Sequence, residues 1–176
     1  MKTFKILKSE LAFNGDFIKV RKDTISLPNG KTMTYEYVDR IEAVAIFPIL
    51  KDSILLIKQY RHPLRKFSYD LPAGSLSIGK ETPEEEAKRE LKEETGYDAK
   101  NLYHLGKYNH APGCLNSVVH LFAAKNLTKG NQHLDPTEFI EPVEIPISKF
   151  EAFIEQKEIE PIVPLGYFLA NKRGII

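Results

Sequence analysis

Residues 82–98 read TPEEEAKRELKEETGYD, and the placement of charge along this stretch decides the fold. Thr82 is an N-cap residue type, Pro83 takes the first helical position, and Glu85 falls three residues after Thr82, as in a capping box. Gly96 supplies the stop as a residue able to take positive φ. Ala87 and Leu91, four apart, form a narrow apolar edge. Glu84→Lys88 and Glu85→Arg89 read as i,i+4 pairs on a solvated face. Glu86, Glu90, Glu93 and Glu94 fall within an arc of roughly 80–100°. Their like-charge contacts together cost on the order of 1 kcal/mol. Glu93 and Glu94 also sit at the negative end of the helix dipole. A solvated acidic face leaves that cost unanswered, whereas a divalent cation turns the repulsion into attraction. Carboxylates without a Cys or His partner select a hard ion, Mg²⁺ or Mn²⁺. Magnesium binds one or two carboxylates together with substrate phosphates. The helix therefore predicts a phosphate-handling metal enzyme.

Extended back to residue 71, the stretch reads LPAGSLSIGKETPEEEAKRELKEETGY. From Glu81 onward it runs Glu-x7-Arg-Glu-Leu-x-Glu-Glu-x-Gly-Tyr, and it resembles the box of the Nudix hydrolases. Six residues separate Gly74 from Glu81, one more than that pattern carries. The departure touches the loop and leaves the helix carboxylates in register with each other. The resemblance implies that Glu90 and Glu94 hold metal, that Glu93 participates, and that the Ala73 carbonyl binds metal as well. It also implies that Glu81 and Arg89 pair to orient loop against helix, with Gly96 closing the box. A competing motif lies in GSLSIGKE, residues 74–81, which is Gly-x4-Gly-Lys followed by Glu81 where a P-loop needs Ser or Thr. A carboxylate in a phosphate cradle would repel its ligand, so the P-loop reading is set aside.

The 176 residues predict one domain with a sizeable core, residues 1–40 as an N-terminal hairpin and 41–176 as a catalytic core. The net charge of +1 gives no electrostatic case for nucleic acid. A single cysteine, Cys114, excludes an internal disulfide and fits a reducing compartment. The longest apolar stretch, residues 43–50, is too short to span a bilayer, and the N-terminus lacks a signal-peptide core. A cytoplasmic protein without membrane or nucleic-acid partners is expected. The five histidines lack metal-site spacing.

Residues 16–27 and 31–38 alternate around Pro28-Asn29-Gly30 and predict a hairpin. Strands are predicted at 43–50 and 53–60, the first apolar enough to be central. Further strands are predicted at 101–108 and 117–125. Residues 138–147 read as an edge strand broken by Pro142 and Pro146. Helices are predicted from Ser148 to 158 and over 161–173, the latter closed by Gly174. Periodicity alone gives an α/β domain. The Nudix resemblance implies an α/β/α sandwich around a mixed β-sheet, with an N-terminal antiparallel hairpin.

Nearly the whole chain resembles the ADP-ribose pyrophosphatase branch of that family. Pro112, sixteen residues after Gly96, sits where the branch carries its specificity proline. The resemblance places substrate contacts at Phe17, Tyr35, Arg61, Gly74, Pro112 and Gly113. Phe17 and Tyr35 would clamp the base, and the alternative for both is hairpin packing. Arg61 would bind the diphosphate through its fork of donors, and the alternative is a surface charge at a strand end. Glu138 matches the catalytic base on a late loop, with Glu93 as the other candidate and an edge-strand surface charge as the alternative for Glu138. Asn116 and Ser117 follow the Pro-Gly pair where some members carry an acid. The expected partners are a nucleoside diphosphate sugar and a second copy of the chain, with exchanged hairpins. The implied reaction is Mg²⁺-dependent hydrolysis of ADP-ribose to AMP and ribose 5-phosphate. The rivals are a GDP-mannose or other nucleotide-sugar pyrophosphatase and a non-catalytic ADP-ribose sensor. The sensor reading is weakened by retention of Glu90, Glu93 and Glu94, and by a segment after residue 145 too short for a winged helix.

Overall fold

The computed structural model describes residues 3–76, 79 and 81–176. Ser77, Ile78 and Lys80, in the loop that carries the extra residue and the P-loop-like lysine, lie outside the described residues. The chain divides into two compact units: the segment up to Glu42 together with Asn109–Val118, and Ala43–Tyr108 together with Val119–Ile176.

The first unit is an antiparallel sheet of β1 (Lys5–Asn14), β2 (Lys19–Ser26) and β3 (Thr32–Asp39), in that order. β2 and β3 are the predicted hairpin. Its turn is closed by Gly30 N–H to the Leu27 carbonyl at 2.9 Å and Leu27 N–H to the Lys31 carbonyl at 2.7 Å. Gly30 takes φ 84°, the conformation that glycine adopts without strain. β1 was not predicted from the sequence. All 10 of its residues are exposed, so no alternation of burial marks it as a strand. Residues Asn109–Val118 are fastened to β3. Val38 N–H donates to the Cys114 carbonyl at 2.9 Å, the Asn116 amide reaches Asp39 at 2.6 Å, and the Asn116 side-chain oxygen accepts from Arg40 N–H at 2.7 Å.

In the second unit β4 (Ala43–Pro48), β5 (Ser53–Arg61), β6 (Lys66–Asp70) and β7 (Ala73–Ser75) precede α1 (Pro83–Thr95). β8 (Tyr97–Asn109), β9 (Val118–Lys129), β10 (Ile140–Pro146), α2 (Ile147–Gln156) and α3 (Ile162–Lys172) follow. The strands form two sheets, β7-β4-β9-β8 and β10-β5-β6. The first is mixed, with β4 parallel to β9 and antiparallel to β7.

β4 explains the layering. Its residues are apolar at every position because both faces are covered. Val44 and Ile46 pack with Ala87 and Leu91 of α1. Ala45 and Phe47 point the other way, into a core with Phe150 of α2 and with Ile162, Val163 and Ala170 of α3. β9 repeats the alternation, with Phe122 and Ala124 on the α1 side and Leu121 and Ala123 on the other. This is the α/β/α layering that the Nudix resemblance implies. The narrow apolar edge of α1 suffices because it is the only part of the helix that reaches this core.

Several details differ from expectation. β6 and β7 were not predicted, since they are short, flank Pro72, and β7 contains Gly74. β10 is an edge strand, yet its pairing to β5 runs unbroken from Ile140 to Pro146. Its prolines lie where no inner neighbour requires an N–H. α2 begins at Ile147 rather than Ser148, with Pro146 as a cap that makes no side-chain bond. Ile147 N–H is satisfied by the Asp52 carbonyl at 3.0 Å.

Candidate active site

α1 carries most of the candidate residues, and its ends are fixed locally. The Thr82 hydroxyl accepts from Glu85 N–H, and the Glu85 carboxylate accepts from Thr82 N–H at 2.8 Å, so the capping box is complete. That occupation of Glu85 overturns the expected Glu85→Arg89 pair. Glu84 and Lys88 do pair, at 3.0 Å. Arg89 turns instead into the acidic arc. It bonds Glu86 at 2.5 Å, Glu90 at 2.6 Å and Glu93, and lies 3.6 Å from Glu81. One guanidinium thus serves four carboxylates. Glu86 is fully buried, and one of its oxygens has no hydrogen-bond partner among the described residues. Burial is the largest single influence and works to raise its pKa, but the hydrogen bond and charge of Arg89, together with hydrogen bonds to Glu81 and Glu90, hold it below the usual carboxylate value. The same bond to Glu86 pushes the Arg89 pKa upward.

Glu90 and Glu94 converge on the Ala73–Gly74 backbone of β7. Ala73 N–H donates to Glu94 at 2.9 Å. A Cβ at Gly74 would collide with the Glu90 carboxylate, so only glycine lets this side chain lie against the strand. Burial pushes Glu90 to about 7, helped by the charges of Glu86 and Glu93 and opposed by Arg89. Burial pushes Glu94 to about 8. There the Ala73 N–H and the Arg61 charge oppose the rise, while Glu90 and Glu138 add to it.

The donor set fits a hard divalent cation. It offers desolvated carboxylates, held against a glycine cradle, that favour neutrality unless a cation arrives. Among the described residues no three Asp, Glu, His or Cys side chains are grouped so that they could hold a metal ion on their own. Such an open set suits Mg²⁺, which takes few protein ligands and completes its shell with water and phosphate.

The residues that hold Arg61 and the end of α1 in place were not legible in the sequence. Asp70, buried at the end of β6, takes both Nε and Nη2 of Arg61 at 2.7 Å on one oxygen. Ser68 donates to its other oxygen at 2.7 Å, and Gln59 adds a bond at 3.2 Å. Gln132 is the second residue missed. Its side chain donates to the Glu94 carbonyl at 2.6 Å and to the Ile140 carbonyl at 3.2 Å. His133 N–H caps the Glu93 carbonyl at 3.0 Å, and Gly130 N–H caps that of Gly96 at 2.7 Å. The loop bearing Glu138 is thereby stapled to the end of α1. Glu138 closes its own turn, accepting from Asp135 N–H at 3.1 Å.

The remaining candidates lie in the first unit. Tyr35 donates its hydroxyl to the Gly113 carbonyl at 2.8 Å, joining β3 to the loop that carries Pro112. The Phe17 side chain is 88% exposed, and its carbonyl accepts from Arg40 at 3.1 Å.

The NUDIX domain profile matches residues 39–165. The chain belongs to the Nudix family. A second profile, the nucleoside diphosphate sugar hydrolase N-terminal domain, matches residues 4–38. Among Nudix relatives, a methanol dehydrogenase activator of Bacillus methanolicus is 37% identical over 88% of this chain and 85% of its own length. An ADP-ribose pyrophosphatase of Bacillus subtilis is 35% identical over the same shares of the two chains. The crystal structure of an ADP compounds hydrolase superposes with a TM-score of 0.88 at 27% identity, covering 98% of this chain and 94% of that one. No helix among the described residues is long and apolar enough to cross a membrane.

Proposed function

We propose that this Nudix chain is a Mg²⁺-dependent pyrophosphohydrolase of nucleoside diphosphate sugars, with ADP-ribose, split to AMP and ribose 5-phosphate, as its first substrate. The observation that carries this reading is the convergence of the partly buried Glu90 and the buried Glu94, both shifted toward neutrality, on the Ala73–Gly74 cradle. The relatives named for ADP-ribose and ADP compounds support the nucleotide, and the N-terminal profile supports the sugar diphosphate.

Glu90, Glu94, Glu93 and the Ala73 carbonyl would hold the ion. Bound there, Mg²⁺ supplies neutralisation of the diphosphate and a more acidic water. Arg61 binds a phosphate oxygen through donors that Asp70 leaves free. Glu138 accepts the proton of the attacking water. The water oxygen bonds to one phosphorus, the P–O–P bridge breaks, and both halves leave as phosphate monoesters. Phe17 and Tyr35 hold the base beside Pro112 and Gly113. The enzyme works in the cytoplasm as a homodimer. The apolar side chains that β1 exposes, Ile6, Leu7, Leu11 and Phe13, support the dimer.

Product analysis with Mg²⁺ tests the reading on ADP-ribose, GDP-mannose, UDP-glucose, NADH and a dinucleoside polyphosphate. The expected outcome is AMP from ADP-ribose, fastest of the set and abolished by Glu94→Gln. Faster GMP release from GDP-mannose would move the specificity and keep the chemistry. Glu138→Gln is expected to lower kcat about 10²–10⁴-fold. A fall of only a few-fold would return the base role to Glu93. The 37% identical activator favours a second reading, in which the target is a dehydrogenase. A change in methanol dehydrogenase rate on adding the protein, without turnover of any free nucleotide, would select it.

A further inference from the structure

We propose that Asp70 is a positioning residue that fixes the Arg61 guanidinium for diphosphate binding, an inference that rests on the reading of Arg61 as a diphosphate ligand. Asp70 is 2% exposed, whereas the Arg61 side chain is 43% exposed. Such a pair adds little to stability, because desolvating the acid offsets most of the Coulomb gain. Its geometry is nevertheless over-determined. Two Arg61 nitrogens and the Gln59 amide meet on Oδ2, while the Ser68 hydroxyl occupies Oδ1. Asp70 cannot rotate without breaking several bonds at once.

The surroundings show what the anchor prevents. Arg61 and Asp70 line a cavity of about 440 Å³ together with Pro63, Leu64, Ile159 and Pro161. An arginine beside so much free volume has many rotamers open to it. Ordering such a side chain costs up to about 2 kcal/mol. Asp70 places that ordering in the folded chain, before substrate arrives, and leaves the Nη1 group and the outer Nη2 hydrogen available to a phosphate.

The test has two readouts. One is the ¹⁵N–¹H resonance of Arg61 Nε, assigned by its loss in Arg61→Lys. The other is calorimetric binding of ADP with Mg²⁺. In the wild-type protein the Nε proton should be protected from exchange. Asp70→Asn should abolish that protection and weaken ADP about tenfold, the loss of one charge-assisted bond. Arg61→Ala and the double variant Arg61→Ala/Asp70→Asn should bind ADP equally weakly. Ser68→Ala, which loosens Asp70 while leaving the acid in place, should broaden the resonance in the same direction and serves if Asp70→Asn does not fold. Losses that multiply in the double variant, or a resonance unchanged in Asp70→Asn and Ser68→Ala, would overturn the proposal. Failure of the wild-type protein to hydrolyse ADP-ribose would overturn the functional reading instead, since the Nε resonance reports on Arg61 without turnover.

Discussion

Glu90 and Glu94 carry the strongest conflict between burial and charge at the site, and that conflict fixes a pH dependence. Their pKa values in the folded chain, about 7 and about 8, stand above the ordinary 4.5. Groups raised in this way stabilise the fold below their unfolded pKa and lose that contribution as pH rises through the folded values. The metal-free protein should therefore show a Tm that falls between pH 4.5 and about 8.5. Mg²⁺ should oppose the fall, with a gain that grows with pH because binding displaces protons. Glu94→Gln should reduce both effects. A flat metal-free profile in thermal scans, or a Mg²⁺ gain that shrinks as pH rises, would show that these carboxylates are not the ligands. At this scale the sequence was most informative where residues share one helix, because helical spacing alone brings Glu90, Glu93 and Glu94 together. Asp70 and Gln132 left no comparable trace, since their partners are brought to them by sheet pairing and loop docking.

The elements were legible in proportion to how much of their pattern is local. α1 announced both of its ends, and its capping box and glycine stop lie where the residues indicate. β4 announced itself through an apolar run. β1, exposed throughout, and β7, three residues long, offered no periodicity to read. The closing glycine of α1 does more than end a helix. Gly96 takes φ 77°, and a Cβ there would meet Gln132 N at 2.9 Å, so any other residue strains the turn and pushes back the loop that carries Glu138. Gly96→Ala should cost roughly 1–3 kcal/mol, from the positive φ and the close contact together. Thr82→Ala, which removes one half of the capping box, should cost about 1 kcal/mol. Urea unfolding of the two variants measures both, and a larger loss for Thr82→Ala would contradict this account of the helix ends. Only Gly96→Ala should also lower kcat, because the hydrogen bonds of Thr82 among the described residues stay within the first turn of α1.

For the whole molecule, the first unit raises a question of association. Ile6 and Leu7 of β1 are more than half exposed, as are Phe4 and Phe13. Apolar side chains grouped in this way mark an interaction surface. Sedimentation is expected to give a dimer, and Ile6→Glu should shift it toward monomer with a loss of activity. A monomer that retains full activity would refute the assembly. The same unit bears on how the chain can be recombined. The N-terminal profile stops at residue 38, yet the compact unit also contains Asn109–Val118, bonded to β3 through Val38, Asp39 and Arg40 and tied to Tyr35 at Gly113. Two stretches some seventy residues apart in the chain thus fold as one compact unit. A chimera that exchanges the first forty residues with those of a relative, and leaves the Pro112 loop behind, severs that unit. Recombination, in the laboratory or in a genome, can move this unit of the protein intact only by carrying both pieces together.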